Sequence, residues 1–130
     1  MEGIIKKVKL KNEKKENTFL CAFRGIFNAV KSERNVKIDI IMAILVIVSG
    51  FILKIDTTEW FICLILIALV ISAELMNTAI EAVVDMYTRE KNPLAKRAKD
   101  IAAGSVLVLA IMSAIIGGII FIPRFLEKIA

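Results

Sequence analysis

Four polar side chains interrupt an otherwise apolar stretch of the chain: Glu74, Asn77, Glu81 and Asp85. Their spacings of three, four and four residues place them within about 60° of arc on one side of a helix. Carboxylates so arranged, with an amide among them, can hold a divalent cation through hard oxygen ligands, take a proton from a hydroxyl, or pair with lysine and arginine. The run that carries them, from Trp60 to about Met86, is apolar enough to cross a bilayer. An ionised carboxylate at that depth costs on the order of 3 kcal/mol, so something cationic must meet these acids. Candidates are Lys96, Arg97 and Lys99 beyond the next connection, Lys14, Arg24 and Arg34 nearer the N-terminus, or a bound metal ion. Ion pairing alone, for instance Asp85 with Lys99 or Arg97, is the better reading for Asp85 taken by itself. An ion-conducting pathway fits less well, because it expects acids spread through the bilayer, and the first apolar run and most of the third are read as having none.

The elements that must position these groups follow from hydropathy. The chain has 130 residues, 58% hydrophobic and 24% charged, with a mean hydropathy of +0.73. That is too apolar for a soluble globule, and the length leaves room for two or three spans of about 20 residues but not for a separate catalytic domain. Residues 1–16 form a basic lead-in. Over 17–34, Phe19, Ala22, Phe23, Ile26, Phe27 and Val30 recur at helical spacing with Arg24, Asn28 and Lys31 at other angles, which predicts an amphipathic helix lying in the headgroup plane. Spans are expected at about 36–54, 60–86 and 98–121, so residues 17–130 make one all-α integral membrane domain. Asp56 to Glu59 form the first turn, and Tyr87 to Lys96, broken by Asn92-Pro93, the second connection. Ala110, Ala114 and Gly118 fall four apart on one stripe of the third span, a pattern that lets helix backbones approach closely. Three helices enclose little, so a homo-oligomer is expected.

The net charge is +5, and ten of the eighteen basic residues precede position 38. Next to so apolar a remainder, this points to anionic lipid headgroups and not to nucleic acid. Basic residues also crowd the connection between the second and third spans, whereas the 54–59 turn has only Lys54. By the positive-inside rule, the N-terminus and the second connection face the cytoplasm, and the first turn and the C-terminus face outside. The first 35 residues lack the apolar core of a signal peptide, so the N-terminus is expected to stay attached. Cys21 and Cys63 stand alone, without CxxC spacing or any histidine, and read as buried small residues.

An acidic cluster, an amide, a lysine and an adjacent basic helix at one membrane face suit phosphoryl transfer, which needs magnesium, cations against the phosphate chain and a base for the accepting hydroxyl. No GxxxxGK[ST] loop and no protein-kinase motif occurs. Composition and spacing alone therefore reach as far as a membrane enzyme or transporter with an acidic site at the cytoplasmic face.

The string Glu74-Leu75-Met76-Asn77-Thr78-Ala79-Ile80-Glu81-Ala82-Val83-Val84-Asp85 resembles the signature of the small prokaryotic diacylglycerol kinase family. The likeness continues through Asn92-Pro93-Leu94-Ala95-Lys96-Arg97-Ala98-Lys99-Asp100-Ile101-Ala102-Ala103-Gly104, and upstream through Ala22-Phe23-Arg24-Gly25-Ile26 and Ser32-Glu33-Arg34-Asn35. It covers about residues 14–120. The Glu33-Arg34-Asn35 and Pro93-Leu94-Ala95-Lys96 segments are more similar to the Gram-positive branch, whose members act chiefly as undecaprenol kinases.

This resemblance implies a homotrimeric, multi-pass enzyme of the bacterial cell membrane that transfers the ATP γ-phosphoryl group to a lipid hydroxyl. The acceptor is expected to be undecaprenol, with diacylglycerol as the alternative. A non-enzymatic transporter or assembly factor is the alternative of another class. Glu74 is the implied general base and lipid contact; Glu33 and Glu81 are the implied ligands of Mg2+ beside the nucleotide, and Asn77, counted with Glu74 among the catalytic residues, is implied to support the residues that hold the ion. Lys14, Glu90, Asn92, Lys99 and Asp100 are the further implied nucleotide contacts. Lys14 stands where the family usually has arginine, Cys21 where many members have tyrosine, and Asn92 where many have histidine. A lysine in place of arginine keeps the charge but loses bidentate phosphate geometry.

Overall fold

In the computed structural model, which describes residues 1–5 and 17–130, the elements are helices throughout. Lys14 and most of the basic lead-in lie outside the described residues. The four long helices are α1 (Thr18–Ser32), α2 (Arg34–Leu53), α3 (Thr57–Tyr87) and α4 (Pro93–Ile129). The last three are long and apolar enough to cross a membrane. The protein is thus an all-α membrane protein preceded by a shorter amphipathic helix.

Each boundary has a local cause. Asn17 caps α1, its side chain accepting from the Phe19 N–H at 3.0 Å. Phe19, Phe23 and Phe27 are exposed on α1, while Ala29 is buried against the bundle. Glu33, in extended conformation, separates α1 from α2. Close by, Val36 is fully buried. At the other end of α2, Lys54 adopts left-handed backbone (φ 53°, ψ 54°) and donates its N–H to the Gly50 carbonyl, which turns the chain and drops Ile55 into a small core with Cys63 and Ile120. Gly50 is required there: a Cβ at this position would lie 2.8 Å from Cη2 of Trp60.

The first turn is shorter than its sequence suggests. Asp56 accepts from the Glu59 N–H and Glu59 accepts from the Asp56 N–H, each at 2.9 Å. This reciprocal capping box starts α3 at Thr57, ahead of the apolar run, by satisfying N–H groups that a helix start leaves without partners. The second connection is also shorter, residues 88–92, because Asn92 Oδ1 accepts from the N–H groups of Leu94 (2.9 Å) and Ala95 (3.1 Å) and Pro93 takes the first helical position. At about 1.5 Å per residue, α3 and α4 measure about 46 and 56 Å, well beyond a hydrocarbon core of about 30 Å. Helix α4 passes Phe121 and continues through Pro123 to Ile129.

Helices α3 and α4 pack most extensively, with α2 laid against both. The Ala110–Ala114–Gly118 stripe does not bring backbones together within the protomer. Ala110 and Ala114 are exposed, and a Cβ on Gly118 would meet only its own helix's Ile122 at 3.7 Å. Ala110, Ala114, Ser113 and Gly117 instead line a cavity of about 240 Å³ between α2, α3 and α4. Cys63 is buried as expected, but Cys21 is exposed on α1.

Candidate active site

The polar face of α3 turns inward. Glu74 is 3% exposed and Asn77 7% exposed, the two buried polar side chains among the described residues, and Glu81 and Asp85 are half-buried. Counted from Trp60 along an untilted helix, Glu74 lies about 21 Å into the span. The Asn77 Oδ1 atom is buried with no hydrogen-bond partner. A lone-pair acceptor left without a donor in such a place is costly.

Asp39 on α2 joins this region. It lies within electrostatic reach of Glu74, its Oδ2 atom is buried without a partner, and it lines the intramembrane cavity. Asp39 is absent from the residues singled out above. The signal was present: an acid flanked by Ile38, Ile40 and Ile41 on an apolar helix carries the same cost as Glu74.

Past Tyr87, a second group of residues lines a shallow cleft of about 580 Å³: Arg89, Glu90, Lys91, Asn92, Lys96, Lys99 and Asp100 among them. This brings together four of the residues expected to contact nucleotide, Glu90, Asn92, Lys99 and Asp100. The cleft holds four cations against two carboxylates, a surplus that suits a polyanion. Lys99 Nζ is 2.6 Å from Asp85 Oδ1, the pairing expected for Asp85, and Lys96 pairs with Asp100 one turn along α4. Asn92 spends its oxygen on the α4 cap, which leaves its amide nitrogen as the group that could donate to a nucleotide.

The two groups sit at different depths. Glu74 and Asp85 are eleven residues apart in α3, about 16 Å along the axis, and Glu81 lies between them. Glu33 occupies the corner between α1 and α2, half-buried, with its Oε1 accepting from the Ser32 hydroxyl at 3.3 Å. No three histidine, cysteine or carboxylate side chains converge among the described residues. Magnesium does not require such a cage, since it is commonly held by one or two carboxylates together with substrate phosphates and water.

Residues 20–121 match the prokaryotic diacylglycerol kinase family. Undecaprenol kinase of Bacillus subtilis is 45% identical over 107 residues, covering 82% of this chain and 87% of that protein. A diacylglycerol kinase of Synechocystis is 36% identical over 111 residues, 85% of this chain and 63% of that longer protein. A diacylglycerol kinase of Haemophilus influenzae is 32% identical over 106 residues, 81% and 90% of the two chains.

Proposed function

The chain belongs to the prokaryotic diacylglycerol kinase family and is a membrane lipid kinase, and from that premise we propose that it transfers the ATP γ-phosphoryl group to undecaprenol. The observation that carries this reading is the burial of Glu74 beside Asn77 deep in α3. A carboxylate at that depth meets the hydroxyl of a lipid that moves within the bilayer and is closed to a water-borne alcohol. The preference for undecaprenol over diacylglycerol rests on the likeness to the Bacillus subtilis enzyme; the likeness to diacylglycerol kinases keeps the diacyl lipid as the second reading.

In this scheme Glu74 accepts the hydroxyl proton as the oxygen attacks the γ-phosphorus and the bond from that phosphorus to the β–γ bridging oxygen breaks, the electron pair leaving with ADP. The Asn77 side chain, whose oxygen has no protein donor, receives the incoming group and holds it beside that carboxylate. Lys99 donates to phosphate oxygens from the cleft, where Glu90, Asn92 and Asp100 position the nucleotide, and Lys14 adds a further cation. Glu33 and Glu81 would hold Mg2+, which when bound neutralises charge on the phosphates. Depth supports that pair. From Asp39 to Glu33 is six residues and from Glu74 to Glu81 is seven, so with Asp39 and Glu74 within electrostatic reach of each other the two ligands rise about 9 and about 10 Å toward the same end. Both lie between the lysine and the base, where the terminal phosphate has to pass.

The enzyme works as a homotrimer in the bacterial cell membrane, with its N-terminus and the 88–92 connection in the cytoplasm and its C-terminus outside. The broad exposure of large apolar residues along α2, α3 and α4 suits contact with lipid and with further copies. Purified protein supplied with labelled ATP, magnesium and a panel of lipid alcohols tests the reading. Label transferred to undecaprenol faster than to diacylglycerol supports it. Faster transfer to diacylglycerol replaces the acceptor, and no lipid-dependent transfer at all removes the kinase assignment.

A further inference from the structure

Asp85 is the one member of the polar α3 face to which the scheme above gives no task. Its carboxylate lies 2.6 Å from Lys99 Nζ, with the two side chains 40% and 38% exposed. The neighbouring Lys96–Asp100 pair is different in kind: its side chains are 76% and 61% exposed and it joins adjacent turns of one helix, where such pairs contribute little. The Asp85–Lys99 pair joins two helices across fourteen residues of chain. Lys99 lines the cationic cleft and Asp85 does not, so the carboxylate grips the ammonium from outside the space a phosphate chain would fill.

An ammonium has three N–H donors and one goes to Asp85, leaving two for other acceptors. An untethered lysine stem loses up to about 2 kcal/mol of rotamer freedom when its head is fixed, and a tether already in place removes much of that loss from the binding step. We propose that Asp85 is a positioning residue that holds the Lys99 ammonium at the cleft, ready for the nucleotide's phosphate oxygens, and acts on nucleotide binding only through Lys99. The proposal rests on the kinase reading for the identity of the ligand.

Sign separates this role from its rivals. Removing a negative charge beside a polyanion site should tighten binding by simple electrostatics, and loss of a helix staple should lower stability without touching affinity. Loss of a positioning residue should weaken binding. The test is calorimetric titration of the full-length protein in lipid nanodiscs with a non-hydrolysable ATP analogue and magnesium. Asp85→Asn is expected to weaken binding about fivefold, the upper range for a pair of this exposure, and Asp85→Glu to recover most of it. In a Lys99→Met background, Asp85→Asn should change affinity by less than about twofold. Unchanged or tighter binding by Asp85→Asn overturns the proposal, as does an equal loss in the Lys99→Met background. Absence of binding by the unsubstituted protein would instead count against the kinase reading itself. Thermal unfolding by circular dichroism establishes that each variant is folded, and Asp85→Glu carries the test should Asp85→Asn fail to fold.

Discussion

Substituting Arg124 by glutamine should loosen the end of the bundle opposite the cleft while leaving the chemistry in place. Arg124 sits beyond Pro123, outside the stretch that matches the family, and gathers three partners. Its guanidinium is 2.6 Å from Glu59 and 3.5 Å from Asp56 and donates to the Lys54 carbonyl at 3.2 Å. These groups belong to the C-terminus of α2 and the capping box of α3, so one side chain ties three helices and offsets the exposed carbonyls where α2 ends. Arg124 is 28% exposed and Glu59 is 21% exposed, between the surface case, at or below about 1 kcal/mol, and the charged hydrogen bond, at about 1.5–3 kcal/mol. Glu59 keeps its bond to the Asp56 N–H, so no buried charge is stranded, and a loss of about 1–2 kcal/mol follows. That corresponds to a fall in melting temperature on the order of 5 °C, measured by circular dichroism of the detergent-solubilised protein. Glu74 lies fifteen residues from Glu59 along α3, about 22 Å, so lipid phosphorylation well below the melting temperature should be unchanged. A melting temperature within 1 °C of the original, taken as about the resolution of the measurement, would mean that the clamp stabilises nothing. Lost activity in a folded variant would show that the two ends are coupled.

Other perturbations address the site and its scaffold. Glu74→Gln keeps the shape of the buried side chain and removes its basicity, so turnover should fall about 10²–10⁴-fold with nucleotide binding retained; turnover near the original rate takes the base role away from Glu74. Glu81→Ala should raise the magnesium concentration needed for half-maximal rate and weaken nucleotide binding, and an unaltered magnesium titration rules it out as a ligand. Gly50→Ala drives a methyl to within 2.8 Å of the Trp60 ring, which also packs against Phe51 at a centroid distance of 4.8 Å. The clash should cost about 1–3 kcal/mol in thermal unfolding, and a neutral substitution would show that Trp60 can step aside.

The acids of α3 were legible because the bilayer makes every polar group inside it conspicuous. Glu74, Asn77, Glu81 and Asp85 share a face by simple helical arithmetic, and their inward turn follows from the cost of facing hydrocarbon. Helix ends were less legible. Asp56 and Glu59 read as a turn because they are charged, yet the same charges cap α3 and lengthen it. Asn92 read as a nucleotide contact, and its oxygen is committed to the α4 start. In both cases a side chain's polarity was visible and its backbone partner was not, since capping depends on where the chain turns.

Pairing between distant elements was legible in one case only, and the difference is instructive. Asp85 and Lys99 flank a short connection, so two antiparallel helices joined by residues 88–92 bring them within about 6 Å of the same level, a gap that a lysine stem spans. Arg124 and Lys54 are seventy residues apart, and their meeting depends on α4 running past Pro123, in a stretch where hydropathy alone suggested that the span had ended. Asp39 and Glu74 are separated by a whole turn of the bundle and come within electrostatic reach because α2 and α3 happen to be about as long, from the turn at 54–56, as the depth of each acid requires. Intramembrane acids thus announce that a partner exists, but the partner's identity is set by helix lengths. A change that shifts the register of α2 against α3 at Gly50 and Trp60 would therefore be felt at Asp39 and Glu74 before any residue near the site had been altered.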